Sequence, residues 1–408
     1  MFALIRPLAV LILCCGAGAA GAQAFNTSAR AAYVLDETTG TVLLDKNADQ
    51  PLPPASMSKL MTIYMAFEAI ADGRLRIDEE LPVSEHAASY EGSSMFLDTT
   101  DRVSVEDLLR GVIVLSGNDA SAVLAEALSP DGTEAGFARM MTDRARKMGM
   151  TNSTFMNSNG WPAAGHLMSM RDLGTLADHL ITDFPTFYPI FSETEFLFDG
   201  RVPSNSQNRN PILGLGIGAD GLKTGHTSEA GYGLVGSAKQ DGRRIIFVLS
   251  GMDTTAERRE ESEKVVNWAF RQFAQMDVAQ KGTVIADADV WMGDDTTVGL
   301  TVAEDLSLLI PVLQQDNLPA DVVYDSPVKA PVVAGEQLGE LVIRLDGMPE
   351  KRIPLVADRD IARGGFMPRI KTAAGVVMGK ITDATAADDT ATDDAADADT
   401  PAEAAPPA

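Results

Sequence analysis

Residues 51–70 read PLPPASMSKLMTIYMAFEAI, with Ser56 three residues before Lys59 and an apolar run immediately after. Two readings of this stretch are open. Ser56 can be the ordinary start of a helix, where serine is favoured because its hydroxyl accepts from free backbone N–H groups. It can also be a nucleophile with its base, since residues three apart on a helix share a face. A serine hydroxyl reacts poorly until a neighbour takes its proton. Lysine can do so only if burial or a second cation lowers its pKa well below about 10.4. The spacing alone does not separate the readings, because Ser326-Pro327-Val328-Lys329 repeats it in a valine-rich segment.

Outward from this stretch, the pattern predicts an α/β (α+β) unit over residues 25–275. AAYVLDETTGTVLLDK (31–46) forms two short β runs about the turn Thr38-Thr39-Gly40. SVEDLLRGVIVL (104–115) has a capping serine, acidic residues in its first turn and an apolar body, which predicts one helix. DASAVLAEAL and TEAGFARMMTDRARKMG predict two more. AGYGLVGSAKQDGRRIIFVLSGM returns to strands around an Asp241-Gly242 hairpin turn, and ERREESEKVVNWAFRQF closes the unit as a helix. The expected architecture is an antiparallel sheet drawn from both ends of the unit, flanked by helices.

Residues 276–365 change character. Valine-rich runs broken by Gly, Pro and Asp predict a small all-β domain with no catalytic constellation. FMPRIKTAAGVVMGKI (366–381) places Ile370, Ala373, Ala374, Val377, Met378 and Ile381 on one helical face. It reads as an amphipathic membrane-surface helix or an ordinary packed one, with Gly375 and Gly379 weakening either. Residues 382–408 carry acid, no basic residue and no core-forming pattern, which predicts a disordered tail.

Composition narrows the function. The 408 residues are 45% hydrophobic and carry a net charge of −25, which argues against nucleic-acid binding. The first 24 residues combine Arg6, the apolar run Leu8 to Leu13 and Ala22-Gln23-Ala24. That is the pattern of a secretory signal peptide cleaved after Ala24, and it predicts export to the periplasm. Both cysteines, Cys14 and Cys15, lie in that leader, so disulfides, thiolate chemistry and cysteine-bound metal are not expected in the mature chain. His86, His166, His179 and His226 show no metal-ligand spacing, so no metal and no cofactor is expected.

Two later triplets join Ser56 and Lys59. Ser116-Gly117-Asn118 stands at the junction of two apolar helices, where a hydroxyl can relay a proton and a carboxamide can hold both a lysine and a substrate amide. Ser206-Gln207-Asn208 matches it by chance. Lys223-Thr224-Gly225 opens a strand pattern and occurs once. A strand edge can pair with an extended peptide, Gly225 admits close backbone approach, and Lys223 with Thr224 can meet a carboxylate.

The ordered set S-x-x-K, S-x-N, K-T-G within one domain resembles the signature of penicillin-binding proteins and serine β-lactamases. With GSSMFL, LLRGVIVLSGNDA, NSNGWPAAGHLMSMRDL, NRNP and DGLKTGHTSEAGYGLVGSA, residues 30 to about 275 resemble the low-molecular-mass D-alanyl-D-alanine carboxypeptidases. The resemblance implies that Ser56 attacks the carbonyl between two terminal D-alanines and that Lys59 takes its proton. Ser116 would relay a proton to the leaving D-alanine, and Asn118 would position Lys59 and the substrate amide. It further implies that Lys223 lowers the pKa of Lys59 and, with Thr224, receives the terminal carboxylate, with Gly225 on the same substrate-binding edge. The N–H groups of Ser56 and His226 would form the oxyanion hole, with Arg258 and Arg209 as further carboxylate ligands. Peptidoglycan stem peptides are the implied substrates, with β-lactams as covalent inhibitors. S-x-N in place of S-D-N, and no evident deacylating glutamate, favour a carboxypeptidase over a β-lactamase. A DD-endopeptidase cutting cross-links is the nearer alternative.

Overall fold

The structure is a computed structural model that describes residues 25–315, 318–345, 348 and 350–365. The expected signal peptide, the 366–381 helix and the acidic tail lie outside the described residues. The chain divides into two compact units, the first reaching Ala274 and taking in Pro311–Leu313, the second holding Gln275–Ile310 and the described residues from Gln314 on.

In the first unit β1 (Ala31–Asp36) and β2 (Thr41–Lys46) form the expected hairpin. Asp36 Oδ1 accepts from Thr39 N at 2.9 Å and Thr39 Oγ1 at 2.7 Å, an aspartate-closed turn. A short ribbon, β3 (Glu80–Pro82) with β4 (Arg102–Ser104), lies between the helices. β5 (Ala219–Thr227), β6 (Gly231–Gln240) and β7 (Arg243–Met252) complete an antiparallel sheet of order β2-β1-β7-β6-β5. Asp241 and Gly242, both at positive φ, make the β6–β7 turn. This is the α/β architecture the pattern predicts, with the sheet drawn from both ends of the unit.

Both sheet faces are covered, and strand alternation decides which residue meets which layer. Along β7, Ile245, Phe247 and Leu249 pack with Val265, Val266 and Ala269 of the closing helix. Ile246 and Val248 point the other way into the main core, shared with Leu173 and Ala177.

The helices are α1 (Lys59–Ala71), α2 (Glu85–Ala88), α3 (Val105–Arg110), α4 (Asn118–Leu128), α5 (Glu134–Lys147), α6 (Met170–Asp183) and α7 (Thr255–Gln272). α1 is apolar nearly all round and runs through the core.

Two features differ from expectation. The helix predicted over 104–115 stops being α-helical at Arg110, and Gly111–Leu115 widen into a π-type turn. α6 was not anticipated; Leu173, Leu176, Ala177 and Leu180 give it a helical stripe, and Ser169 caps it.

The second unit is all-β, as expected. β9 (Val284–Trp291), β10 (Thr297–Val302), β12 (Ala320–Tyr324), β13 (Val328–Lys329), β14 (Gln337–Ile343) and β15 (Lys351–Ala357) form a sheet of order β12-β14-β15-β10-β9-β13. β8 (Phe273–Ala279) pairs with β11 (Leu306–Pro311). Val298, Leu300, Leu341 and Leu355 are among its core residues. Ser326 and Lys329, the spacing decoy, are both exposed here.

Candidate active site

The way the chain enters α1 assembles the serine–lysine pair. Ala55, after Pro53 and Pro54, sits at φ +49°, and Ala55–Ser58 make one tight turn before α1 begins. Ser56 is left half-buried, whereas Lys59, one turn on, is 0% exposed. Lys59 Nζ lies 2.8 Å from Ser56 Oγ, 2.7 Å from Asn118 Oδ1 and 2.6 Å from the Asn159 carbonyl.

A neutral amine has two protons and one lone pair. Asn118 Oδ1 and the Asn159 carbonyl can only accept, so they take both protons and leave the lone pair facing the Ser56 hydroxyl. Burial first, and then the Arg209 cation, bring the Lys59 pKa down to about 7, while Asp119 and Glu134 pull the other way.

Ser116 and Asn118 are delivered by the break between α3 and α4. After the π-type turn Ser116 takes left-handed backbone angles, φ +62° and ψ +31°, and α4 starts at Asn118. Asn118 Nδ2 donates to Glu91 O at 2.7 Å, which fixes the amide so that its oxygen meets Lys59. Ser116 Oγ accepts from Lys223 Nζ at 2.9 Å. Lys223 is 2% exposed, and its pKa is held well below the usual lysine range by burial, then by Lys59, Arg209 and Arg258.

Lys223-Thr224-Gly225 lies inside β5, which begins four residues earlier than the triplet, and not at the strand's start. β5 is the sheet edge. A Cβ on Gly225 would stand 2.9 Å from Pro54 O and 3.0 Å from Met57 Cγ, so only glycine lets this edge lie against the Ser56 turn.

The loop carrying Asn159 is the part of the site that sequence reasoning missed. Asn157 Oδ1 accepts from Gly160 N at 2.8 Å, and Asn159 Oδ1 from Trp161 N at 2.8 Å. Gly160, at φ +80°, packs so closely that a Cβ would fall 1.9 Å from Ala55 O. Below the loop, Glu134 is 7% exposed. It accepts from Ser158 N at 2.9 Å and Tyr90 OH at 2.6 Å, and lies 2.8 Å from His86 Nε2. Burial alone would raise the Glu134 pKa, but hydrogen bonds from Ser158, Tyr90 and His86 outweigh it and the carboxyl is lowered. The run of Asn and Gly in NSNGW signals a side-chain-braced turn. Glu134, beside the capping Thr133, looks like any acid in a first helical turn.

The predicted residues therefore fall into connected groups. Ser56, Lys59 and Asn118 are one hydrogen-bonded set, and Ser116 with Lys223 is a second. Ser56, Asn118 and His226 line a cleft of about 350 Å³, and Thr224, whose carbonyl is 3.3 Å from Lys223 Nζ, is buried. Arg258 stands further back, 5.6 Å over the Tyr232 ring and 3.4 Å from Arg209 O. Arg209 is the arginine beside the cleft, donating to Ser93 Oγ. Arg209 thus joins Lys223 as a cation near Lys59: Arg209 adds to burial in lowering the Lys59 pKa, and the repulsion between Lys59 and Lys223 adds to burial in lowering that of Lys223. Ser206 and Asn208 of the chance triplet bind Glu195 and the Glu193 carbonyl. Among the described residues no group of three or more His, Cys, Asp or Glu could hold a metal ion.

Comparison with known proteins agrees with this geometry. Residues 18–254 match the family model for D-alanyl-D-alanine carboxypeptidase, and residues 273–363 match that for the C-terminal domain of penicillin-binding protein 5. The chain is 37% identical over 357 residues to D-alanyl-D-alanine carboxypeptidase DacC of Escherichia coli (strain K12), covering 85% of this chain and 88% of the relative. Penicillin binding protein 5 from Haemophilus influenzae superposes with a TM-score of 0.69 at 34% identity, over 83% of this chain and 99% of that one. Penicillin-Binding Protein D2 from Listeria monocytogenes, in its ampicillin-bound form, matches at 33% identity and TM-score 0.54 over 60% of this chain and 99% of its own. A buried lysine facing a serine, a second serine–lysine pair on the sheet edge and these matches lead to one conclusion: the chain belongs to the D-alanyl-D-alanine carboxypeptidase family.

Proposed function

We propose that this enzyme removes the terminal D-alanine from peptidoglycan stem peptides through an acyl-enzyme on Ser56. The observation that carries the reading is the 2.8 Å approach of Ser56 Oγ to a fully buried Lys59 whose pKa is about 7. Near neutral pH half of such lysines are unprotonated, and the two carbonyl acceptors aim the lone pair at the hydroxyl.

Ser56 Oγ bonds to the carbonyl carbon between the two D-alanines while its proton passes to Lys59 Nζ. The charge on the carbonyl oxygen is met by the N–H groups of Ser56 and His226, a contribution typically worth about 3 kcal/mol of barrier. The C–N bond then breaks as the proton held by Lys59 passes through Ser116, which Lys223 orients, to the leaving amine. Water next adds to the ester, its proton going to Lys59 and from there to Ser56 Oγ as the shortened peptide leaves. Lys223, Thr224 and Arg209 receive the substrate's terminal carboxylate, and Arg258 supports Arg209 from behind. A β-lactam acylates Ser56 in the same way but keeps its leaving nitrogen tethered.

The same proposal assigns catalysis to residues 25–275, a separate β domain to 276–365, and action in the periplasm after cleavage at Ala24. Incubating the mature protein with a peptide ending in D-Ala-D-Ala, and separately with labelled penicillin, tests it. Release of D-alanine and labelling, both lost in Ser56→Ala, are expected. Wild type that does neither overturns the activity, and label persisting in Ser56→Ala overturns the site.

A further inference from the structure

The cleft at Ser56 does not end there. Gly160, Trp161, Pro162 and Thr227 also line a second cavity of about 320 Å³, which extends past Pro53 and Pro54 to His166 and Glu229. Among the described residues Glu229 is the only acidic or basic side chain lining it besides His166, and burial brings the His166 pKa down to about 4, so the imidazole is neutral near pH 7. Glu229 lies exposed in the β5–β6 turn, and among the described residues it has no ion pair or hydrogen bond. Trp161 is 43% exposed, yet its backbone is fixed by Asn159 Oδ1 and Asn157 Nδ2, so the indole is presented from a rigid loop. An unpaired carboxylate and a part-exposed indole, which Tyr90 meets in a T-shaped contact, share one cavity and suit a primary ammonium group.

The substrate's direction brings such a group there. With its terminal carboxylate at Lys223 and Thr224, a peptide pairing antiparallel to β5 runs its upstream residues past His226 and Thr227 toward Glu229. An extended chain advances about 3.4 Å per residue, so the third residue from the carboxyl end stands about 7 Å along the strand. A four-carbon amine side chain reaches onward from that point into the cavity.

We propose that the cavity bounded by Trp161 and Glu229 is a subsite for the ammonium of an amine-bearing side chain on the third residue from the substrate's carboxyl end. The inference rests on the DD-carboxypeptidase reading of Ser56. The subsite explains what an unpaired acid does beside the cleft of a chain that already carries a net charge of −25.

The test compares two tripeptides, Nα-acetyl-L-lysyl-D-alanyl-D-alanine with a free side-chain amine and the same peptide with that amine acetylated. Wild type should favour the free amine in kcat/KM by roughly fivefold to tenfold, mainly through KM. Glu229→Gln should bring the ratio close to one, and Glu229→Lys should reverse it. A wild-type ratio of one with D-alanine released from both peptides overturns the subsite alone, as does a preference unchanged in Glu229→Gln. No release from either peptide overturns the reaction and the subsite with it.

Discussion

The state of Lys59 makes the sharpest prediction. Its usual pKa of 10.5 is brought to about 7, a difference that corresponds to about 5 kcal/mol. At pH 7 about half of the molecules then carry a neutral amine, against roughly 3 in 10,000 for an unperturbed lysine. The rate constant for Ser56 acylation by labelled penicillin should therefore rise about tenfold per pH unit up to about pH 6.5 and level off above about pH 8. Arg209→Met removes the cation that adds to burial, so the rising limb should move to higher pH, by less than one unit because burial is the larger cause. The position of the limb is the readout, because loss of Arg209 also weakens carboxylate binding and lowers the rate at every pH. A rate that climbs with unit slope from pH 6 to pH 10 would refute the neutral-lysine mechanism. A limb that moves down in Arg209→Met would refute the electrostatic part. Folding is linked to the same group: the unfolded lysine keeps its proton to about pH 10.4 while the folded one loses it near 7, so stability should increase as pH rises between those values.

Glu134→Gln removes an anion that pulls the Lys59 pKa up and loosens the Ser158–Asn159 loop; the acylation limb should move to lower pH and the plateau should fall at least tenfold, both read from the same pH series. Gly225→Val should drive the β5 edge away from Pro54 O and abolish penicillin labelling while the far-ultraviolet circular dichroism stays that of wild type, because only the edge strand must shift. Ser326→Ala should leave D-alanine release within experimental error of wild type, as expected of an exposed serine in the β domain. If residues 366–381 attach the protein to a membrane surface, ending the chain at residue 365 should shift it from membrane to soluble fractions; an unchanged distribution would refute attachment through that segment.

Much of the fold was legible because local chemistry and tertiary structure agree. The Thr38-Thr39-Gly40 and Asp241-Gly242 turns need no tertiary context, and neither does the Ser104 cap of α3. The catalytic residues were legible as an ordered set, although Ser56-x-x-Lys59 taken alone was no better than the exposed Ser326 spacing. What stayed hidden depends on burial and on main-chain atoms. Asn159 acts through its carbonyl, which no residue type encodes, and Glu134 matters because the fold encloses it. The π-type turn ahead of Ser116 was missed because GVIVL, met as sequence, continues an apolar helix.

Ser116 bears a cost that reaches beyond its own hydrogen bond. Its φ of +62° lies where side chains with a Cβ are held at a penalty of about 1 kcal/mol or more, and where glycine or asparagine sits more comfortably. A library at position 116 screened only for survival on heating should return glycine and asparagine and discard serine. The same library screened for turnover should return serine and accept the lower melting temperature. Heat-hardened versions of this enzyme are therefore best sought at positions remote from the α3–α4 break, with residue 116 held fixed.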